Sequence, residues 1–592
     1  MTLFRGRFDA KRILLAAVGG FALTAGSAQA VPPQPTHYTV TPETVDGTLR
    51  DLAVEVKLQG DADGETKIAM PNEWSGAHEL YKAVHDLRAE GATLTMNGPA
   101  EVVLRHAPNA PVVLRYRVVQ DFAGDPAVSP NGPPFRAITR PKWFSSVGWT
   151  LFGEVKGRVN DPVSFSWGAA PAGWAQASDL DHAAPNGRRM IDLLDSVLVG
   201  GEGLQVTERQ VAGGRLRVVI PSGQWRFTEA NMADLAGKIA EASSQFWGDK
   251  GEDFFVALTP LNAPGGSTVQ YGLGLGDSFA LWATPNVELT TLKHILAHEH
   301  QHTWFPARFG GVRGGEEEPL DYWFSEGFTD FYTLRLLLRA GVYSPEEFVT
   351  DFNRILRNYS ASPALGATNA QIAKAYWTDR AMADQPYQRG LLLAATWDHR
   401  LRQATGGQKG LDDVVRAMRG REGGAIARLE AAYPALGGGS LMKDVGNYVD
   451  NGGRVLLPAD LFGDCAQVRT VQSPVFDRGF DTAKTSARFG VVDGVDPAGP
   501  AYAAGLRNGM RILKREGGQN GDSRVDLIYR VSDAQGERVI RYKPEGRQTM
   551  TLQEIELAPN MTPEKRAACA ASMAGYVGPA LQSGTRTTRA GA

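Results

Sequence analysis

The segment HEHQH at residues 298–302 constrains this chain more than any other, because it lies within the apolar run LKHILAHEHQHTWF. It contains the pattern H-E-x-x-H, in which His298 and His302 are four residues apart. On a helix these positions share one face, so both imidazoles can bind one metal ion. Glu299 follows His298 directly and can reach a water molecule beside that ion. The pattern therefore predicts a helix that carries two metal ligands and a general base.

An alternative interpretation is a helix with ordinary surface histidines. The neighbours Ile295, Leu296 and Phe305 are apolar, which indicates that the helix is buried. Burying several imidazoles without a ligand or a hydrogen-bond partner is costly. The apolar setting therefore favours the metal-binding interpretation.

A catalytic zinc ion needs a third protein ligand and an open coordination position. Glu326, in DYWFSEGFTDFY (321–332), is the first acidic residue after His302 that has an apolar, helix-like setting. The earlier glutamates at 316–318 fall in a glycine-containing loop. Asp330 is four residues after Glu326 on the same predicted face, where it can accept the free ring N–H of a zinc-bound histidine. The two segments together predict a zinc hydrolase site with one Zn²⁺ per chain.

The order H-E-x-x-H followed by W-x-x-E-G-F-T resembles the gluzincin metallopeptidases. The form YWFSEGFTDFY is similar to that of the glycyl aminopeptidase family, as are three further segments: LLDSVLVGG (193–201), PYQRGLLLAATWDHRLR (386–402) and the PDZ-like VDPAGPAYAAGLRNGM (495–510). The resemblance implies a peptidase in which Glu299 is the base and Tyr387 donates a hydrogen bond to the oxyanion. An ordinary half-buried tyrosine is the alternative role for Tyr387.

One segment departs from the family pattern. There, the strand before the zinc helix ends near a glutamate related to substrate-amine binding, whereas this chain has QYGLGLGDSFALW (270–282). Asp277 is the only acidic residue in that stretch, and we expect it to bind the substrate amine. The alternative is that Asp277 caps a turn. An aminopeptidase that favours small N-terminal residues and an endopeptidase, or a peptidase of altered specificity, both remain open.

The fold class expected is multidomain. Residues 1–30 combine a basic start, an apolar run and an A-x-A ending, which is typical of a secretory signal peptide, with an uncleaved anchor as the alternative. We expect a periplasmic or secreted protein with no integral membrane segment in the mature chain. The predicted domains are an all-β, sandwich-like domain (31–225), a thermolysin-like α+β catalytic domain with a helical extension (226–465), a PDZ-like α+β domain (470–560) and a partly disordered tail (561–592).

The expected partners are peptides. The formal net charge of −3 includes no basic excess of the kind that nucleic-acid binding requires. A PDZ-like domain would hold a peptide C-terminus, with Gly479 and Phe480 in its loop, or would serve only as a packing module. An inactive, PDZ-containing peptide-binding protein is the alternative of another class, but the set of predicted catalytic residues is intact.

The chain has only two cysteines, Cys465 and Cys569, which bracket the PDZ-like segment. In an oxidising compartment they can pair, since neither has another partner. Two buried thiols are the alternative.

Overall fold

The computed structural model describes residues 35–575, with gaps at 76, 123–135, 183–186, 249–252, 263–267 and 489. The predicted signal peptide and the end of the predicted tail lie outside the described residues. The chain divides into two compact units: Met1–Asp234 with Gly251–Ala263 and Thr268–Leu289, and Leu235–Lys250 with Pro264–Ser267 and Thr290–Ala592. No helix in the described part of the chain has the length and apolar character to span a bilayer.

The N-terminal part of the first unit is built from β-strands, as predicted. The strands are β1 (Thr36–Val45), β2 (Thr48–Gln59), β3 (Glu65–Ala69), β4 (Val84–Glu90), β5 (Thr93–Met96), β6 (Glu101–Arg105), β7 (Pro111–Val118), β8 (Ile138–Arg140), β9 (Trp143–Val147), β10 (Glu154–Val155), β11 (Pro162–Trp167), β12 (Trp174–Ser178), β13 (Arg188–Arg189) and β14 (Val197–Glu202), with helix α1 (Met190–Leu194) before β14. They form one six-stranded sheet, β13-β11-β1-β2-β7-β4, and two four-stranded sheets, β10-β3-β6-β5 and β12-β14-β9-β8.

Buried and more exposed residues alternate along these strands, and the buried ones form the N-terminal core. Val54 of β2 and Leu114 of β7, in the six-stranded sheet, share a buried cluster with Ile68 of β3 and Leu104 of β6. Inward-facing residues from two sheets in one cluster are expected of layered β structure. The predicted β-rich character of this region is therefore present in the structure.

A further sheet completes the first unit. Its strands are β15 (Leu204–Val211), β16 (Gly214–Pro221), β17 (Phe254–Pro260), β18 (Gln270–Leu275) and β19 (Ser278–Ala283), in the order β15-β16-β17-β19-β18. β16, β17 and β19 run parallel, and β17 and β19 are buried along almost their whole length. This sheet joins strands from both sides of residue 225. The domain boundary predicted at 225/226 remains a prediction.

Helices dominate residues 285–450 and also include one helix at 229–247. They are α2 (Glu229–Trp247), α3 (Leu289–Gln301), α4 (Tyr322–Arg339), α5 (Pro345–Ala361), α6 (Asn369–Ala375), α7 (Arg380–Ala404), α8 (Leu411–Met418), α9 (Ala425–Ala435) and α10 (Met442–Asp444). Local signals explain where several begin. Ser344 and Glu347 form a capping box at α5, and Asp379 accepts hydrogen bonds from the first N–H groups of α7. α4 is buried over nearly its whole length and packs against α7.

Strands return after residue 465. They are β20 (Ala466–Phe476), β21 (Arg511–Gly517), β22 (Leu527–Asp533), β23 (Gly536–Tyr542) and β24 (Glu545–Leu557), with helices α11 (Thr482–Ala487), α12 (Pro500–Ala503) and α13 (Pro563–Met573). β20 pairs with β24, and β21, β22 and β23 form a separate sheet. A core of its own, which includes Val492, Leu506 and Val531, supports a distinct module here. Its assignment as a PDZ domain remains a proposal.

Candidate metal centre

Helix α3 brings the two predicted histidine ligands together. α3 ends at Gln301, so His302 is the first residue after the helix, and its N–H donates to the Glu299 carbonyl at 3.1 Å. Both imidazoles are buried, and their Nε2 atoms lie 3.2 Å apart. The i, i+4 relationship is therefore maintained although the helix ends between the two residues.

Glu326 of α4 faces the same point. Its Oε2 atom lies 3.3 Å from Nε2 of His298 and 3.5 Å from Nε2 of His302, and the residue is 1% exposed. Zinc bonds of about 2.0–2.2 Å at tetrahedral angles place neighbouring ligand atoms about 3.3–3.6 Å apart. The two nitrogens and one carboxylate oxygen therefore fit a zinc ion in donor type and in spacing.

The other nitrogen of each imidazole has a partner of its own. Nδ1 of His298 lies 2.7 Å from Oδ1 of Asp330, and Nδ1 of His302 lies 3.1 Å from the Phe305 carbonyl oxygen. When each Nδ1 donates its hydrogen to its neighbouring oxygen, each Nε2 presents a lone pair to the metal. The structure thus places Asp330 where the sequence predicts a carboxylate that supports a ligand.

Charge is concentrated at this centre. Burial lowers the pKa of His298, but the neighbouring Asp330 and Glu326 carboxylates raise it overall to about 10. For Glu326, burial raises the pKa, whereas His302 and His298 lower it overall to about 2. A zinc ion would replace the imidazolium proton as the positive charge that these carboxylates stabilise.

Glu299 lies next to the ligands without joining them. Among the described residues, the side-chain groups close enough to share a metal are His298, His302 and Glu326, and an overlapping set of His294, His298 and Asp330. Glu299 is in neither set, although it is buried and its charge contributes to the raised pKa of His298. This position suits a base that acts beside the metal.

Tyr387, on α7, lies on another side of His298. Their ring centroids are 5.9 Å apart. The hydroxyl oxygens of Tyr387 and Tyr376 are 3.4 Å apart. Burial raises the pKa of both phenols above the ordinary tyrosine value, and the negative charge of Glu326 adds to this. Sequence analysis missed Tyr376, which follows α6 and belongs to no motif.

Asp277 lies in the first unit, in the turn between β18 and β19. Its carbonyl accepts a hydrogen bond from Phe255 N at 3.0 Å. Burial raises the pKa of Asp179 to about 7, and the charge of Asp277 is a smaller contribution in the same direction. Asp277 therefore has an acidic neighbour 98 positions earlier in the chain, which no pattern in the sequence indicates.

The remaining predicted residues lie in the C-terminal module. Gly479, at φ +71°, precedes Phe480, whose ring centroid is 6.1 Å from that of Tyr529. Phe480 is partly buried against the core of the module. The Sγ atoms of Cys465 and Cys569 are bonded at 2.06 Å, which joins the start of this module to α13.

Comparison with known proteins adds a family match. Residues 291–390, which contain both zinc motifs and Tyr387, match the M61 glycyl aminopeptidase family. No curated protein matches the chain. Together with the ligand geometry, the family match shows that the chain is a zinc metallopeptidase, and hence a hydrolase.

Solved structures resemble the chain at low identity. An aminopeptidase N family protein from Idiomarina loihiensis is 15% identical, with a TM-score of 0.61 over 90% of this chain and 99% of that one. An M1 zinc metallopeptidase from Deinococcus radiodurans is 18% identical, with a TM-score of 0.44 over 72% of this chain and 94% of that one. The first likeness shows the fold alone, and the second is too distant to add to the argument.

Proposed function

We propose that the protein is an exported zinc aminopeptidase that removes small residues from the amino termini of peptides. The observation that carries this proposal is the grouping of His298, His302 and Glu326 around one point, with Glu299 outside the ligand set. The match to glycyl aminopeptidases supports the preference for small residues.

His298, His302 and Glu326 would hold the zinc ion. When bound, zinc supplies a Lewis acid that polarises the scissile carbonyl and makes water a better nucleophile at neutral pH. Glu299 accepts a proton from the attacking water as the new C–O bond forms. It then gives that proton to the leaving amine as the C–N bond breaks, so the base is regenerated.

Tyr387 supplies the hydrogen bond to the developing oxyanion. Its phenol is protonated at neutral pH, and burial and the Glu326 charge raise its pKa further above the ordinary value. A buried donor that is already oriented stabilises charge in the transition state more than water does. Tyr376, at 3.4 Å, restricts the orientation of that hydroxyl.

Recognition of the substrate amine falls to Asp277. A buried ammonium group needs a carboxylate partner, and Asp277 is the acidic residue in the segment where the family has its glutamate. The neighbouring Asp179 adds negative potential around Asp277. If Asp277 only shapes its turn, the same zinc site belongs to an endopeptidase or to a peptidase of altered specificity.

Export is supported by the pattern of residues 1–30 and by the bond between Cys465 and Cys569. The module that contains Gly479 and Phe480 is proposed to be PDZ-like and to hold peptide C-termini. The alternative of another class, an inactive, peptide-binding homologue, does not agree with the complete ligand set and Glu299.

Hydrolysis of paired substrates tests the proposal. The exported, purified protein is assayed on glycyl and alanyl p-nitroanilides and on their N-acetylated forms, with 1,10-phenanthroline and with zinc restored. We expect the free-amine substrates to be cleaved much faster than the acetylated ones, with loss of activity in the presence of the chelator and recovery when zinc is restored. Faster cleavage of the acetylated substrates would instead establish an endopeptidase, and absence of zinc-dependent cleavage of either substrate type would contradict the proposed aminopeptidase activity.

A further inference from the structure

His294 lies one helical turn before His298 on α3 and contacts carboxylates from two other helices. Its Nε2 atom lies 3.0 Å from Oδ1 of Asp330 on α4, and its Nδ1 atom lies 2.8 Å from Oδ2 of Asp351 on α5. The same Oδ1 atom of Asp330 lies 2.7 Å from Nδ1 of His298. One carboxylate oxygen therefore serves both a zinc ligand and His294.

The contacts of His294 define its charge and its effect on Asp330. Each ring nitrogen faces a carboxylate oxygen, so both contacts are satisfied only when both nitrogens carry hydrogens. The resulting imidazolium separates two carboxylates that would otherwise repel each other. Loss of this cation would leave Asp330 with one fewer hydrogen-bond donor. It would also leave the repulsion between the Asp330 and Asp351 carboxylates without an intervening positive charge.

Asp351 provides a fixed anchor at the far end of this chain of contacts. Nε of Arg354 donates to its Oδ1 at 2.7 Å, and the Tyr343 hydroxyl donates to its Oδ2 at 3.1 Å. Asp351 is thus held independently of His294. An anchored carboxylate can hold the imidazolium in place, and the imidazolium in turn can hold Asp330.

We propose that His294 is a positioning residue of the zinc centre, which holds Asp330 where that carboxylate orients His298 toward the metal. The inference rests on the proposed zinc site and extends it by a third layer of contacts, from His298 through Asp330 and His294 to Asp351. His294 lies outside the group formed by His298, His302 and Glu326. Its removal should weaken zinc binding because Asp330, and through it His298, would be held less firmly.

Zinc affinity measured without substrate tests this role. The full chain with His294→Leu or His294→Gln is compared with the wild type by competition with a chromophoric chelator. Loss of a residue that supports a metal ligand typically costs 10–100-fold in affinity or activity. For His294, which acts through Asp330, we expect zinc to bind about tenfold more weakly to His294→Leu than to the wild type. The loss of affinity should be smaller for His294→Gln, because glutamine keeps a polar group. The absorption spectrum of the cobalt-substituted protein should change in parallel.

His399→Leu is the matched control. His399 is also a largely buried histidine that contacts a carboxylate, with Nε2 3.2 Å from Oδ1 of Asp460. Among the described residues it forms no hydrogen bond or ion pair with the ligands or with Asp330, so its loss should leave zinc affinity unchanged. Thermal unfolding of the zinc-free variants separately measures any effect on stability.

A double-mutant cycle with Asp330→Asn separates positioning from a purely structural role. If His294 acts through Asp330, His294→Leu should weaken zinc binding less than about twofold when Asp330 is already Asn, because coupled residues are not additive. Equal effects in both backgrounds, or wild-type affinity in His294→Leu, would overturn the proposal. A protein that binds zinc in this manner but cleaves no free-amine substrate would contradict only the proposed aminopeptidase activity.

Discussion

Gly390 on α7 lies so close to Gly327 on α4 that a Cβ built on Gly390 would be 2.8 Å from the Cα of Gly327. The same Cβ would overlap the main-chain carbonyl oxygen of Trp323. α4 carries Glu326 and α7 carries Tyr387, so these two glycines set the distance between a metal ligand and the proposed oxyanion donor. Gly327, which follows Glu326, and Gly390, three residues after Tyr387, are therefore explained by the close packing of α4 and α7.

Gly390→Ala tests this contact. Alanine favours a helix over glycine by about 1 kcal/mol, but the clash is with main-chain atoms that can yield only if α4 and α7 separate. We expect a net loss of about 1–3 kcal/mol in unfolding free energy, as for other overpacked sites. Activity should fall further than stability explains. Urea denaturation measures the loss of unfolding free energy. Gly366→Ala, whose built Cβ has no neighbour within 4 Å, is the control.

Glu299→Gln should lower kcat by about 10²–10⁴-fold, the usual contribution of general acid–base catalysis. Zinc content should remain at one ion per chain, because Glu299 is outside the ligand set. Metal analysis and peptide hydrolysis are measured on the same preparation. Glu316→Gln, at an exposed position, serves as the control. Loss of zinc from Glu299→Gln, or turnover near that of the wild type, would contradict the assignment.

The tyrosine pair predicts a graded effect. Removal of one oxyanion donor costs about 10²–10³ in kcat, and we expect this for Tyr387→Phe. Tyr376→Phe should reduce kcat by a smaller factor, since it acts through the Tyr387 hydroxyl 3.4 Å away. KM should change little in both. Tyr502→Phe, at an exposed site, should have no effect. A loss for Tyr376→Phe as large as that for Tyr387→Phe would indicate that Tyr376 contacts the substrate directly.

Asp277→Asn distinguishes amine recognition from a structural turn. A charged hydrogen bond contributes about 1.5–3 kcal/mol, so kcat/KM on free-amine substrates should fall about 10–100-fold. The corresponding N-acetylated substrates should be unaffected. Equal losses on both substrate types would assign Asp277 to its turn and remove it from the amine site.

Cys465→Ser tests the disulfide. The cross-link spans 104 residues in sequence. Constraint of the unfolded chain by such a loop predicts a loss of about 2–5 kcal/mol on removal. Chemical denaturation of the variant, and of the wild type with and without reductant, gives the difference. Two reactive thiols in the denatured, unreduced wild-type protein would contradict the proposed bond.

Much of the metal centre follows from local sequence. The spacing of His298 and His302, and that of Glu326 and Asp330, each place two side chains on one helical face, and this depends only on helical periodicity. Alternation in the N-terminal strands similarly predicts which residues are buried, as in β2. Such relationships can be read from consecutive residues because backbone geometry repeats along one element.

Only the tertiary structure brings together residues that no local period relates. Tyr376 meets Tyr387 because the chain turns between α6 and α7, and His294 meets Asp351 across 57 positions because α3 and α5 both contact α4. The sheet likewise pairs β16 with β17 across the predicted domain boundary. These contacts depend on how whole elements pack, which is a property of their combined apolar surfaces and close backbone approaches. Helical periodicity therefore determined the two histidine ligands and the pairing of Glu326 with Asp330, and packing decided that Tyr376 and the His294–Asp351 pair lie beside them.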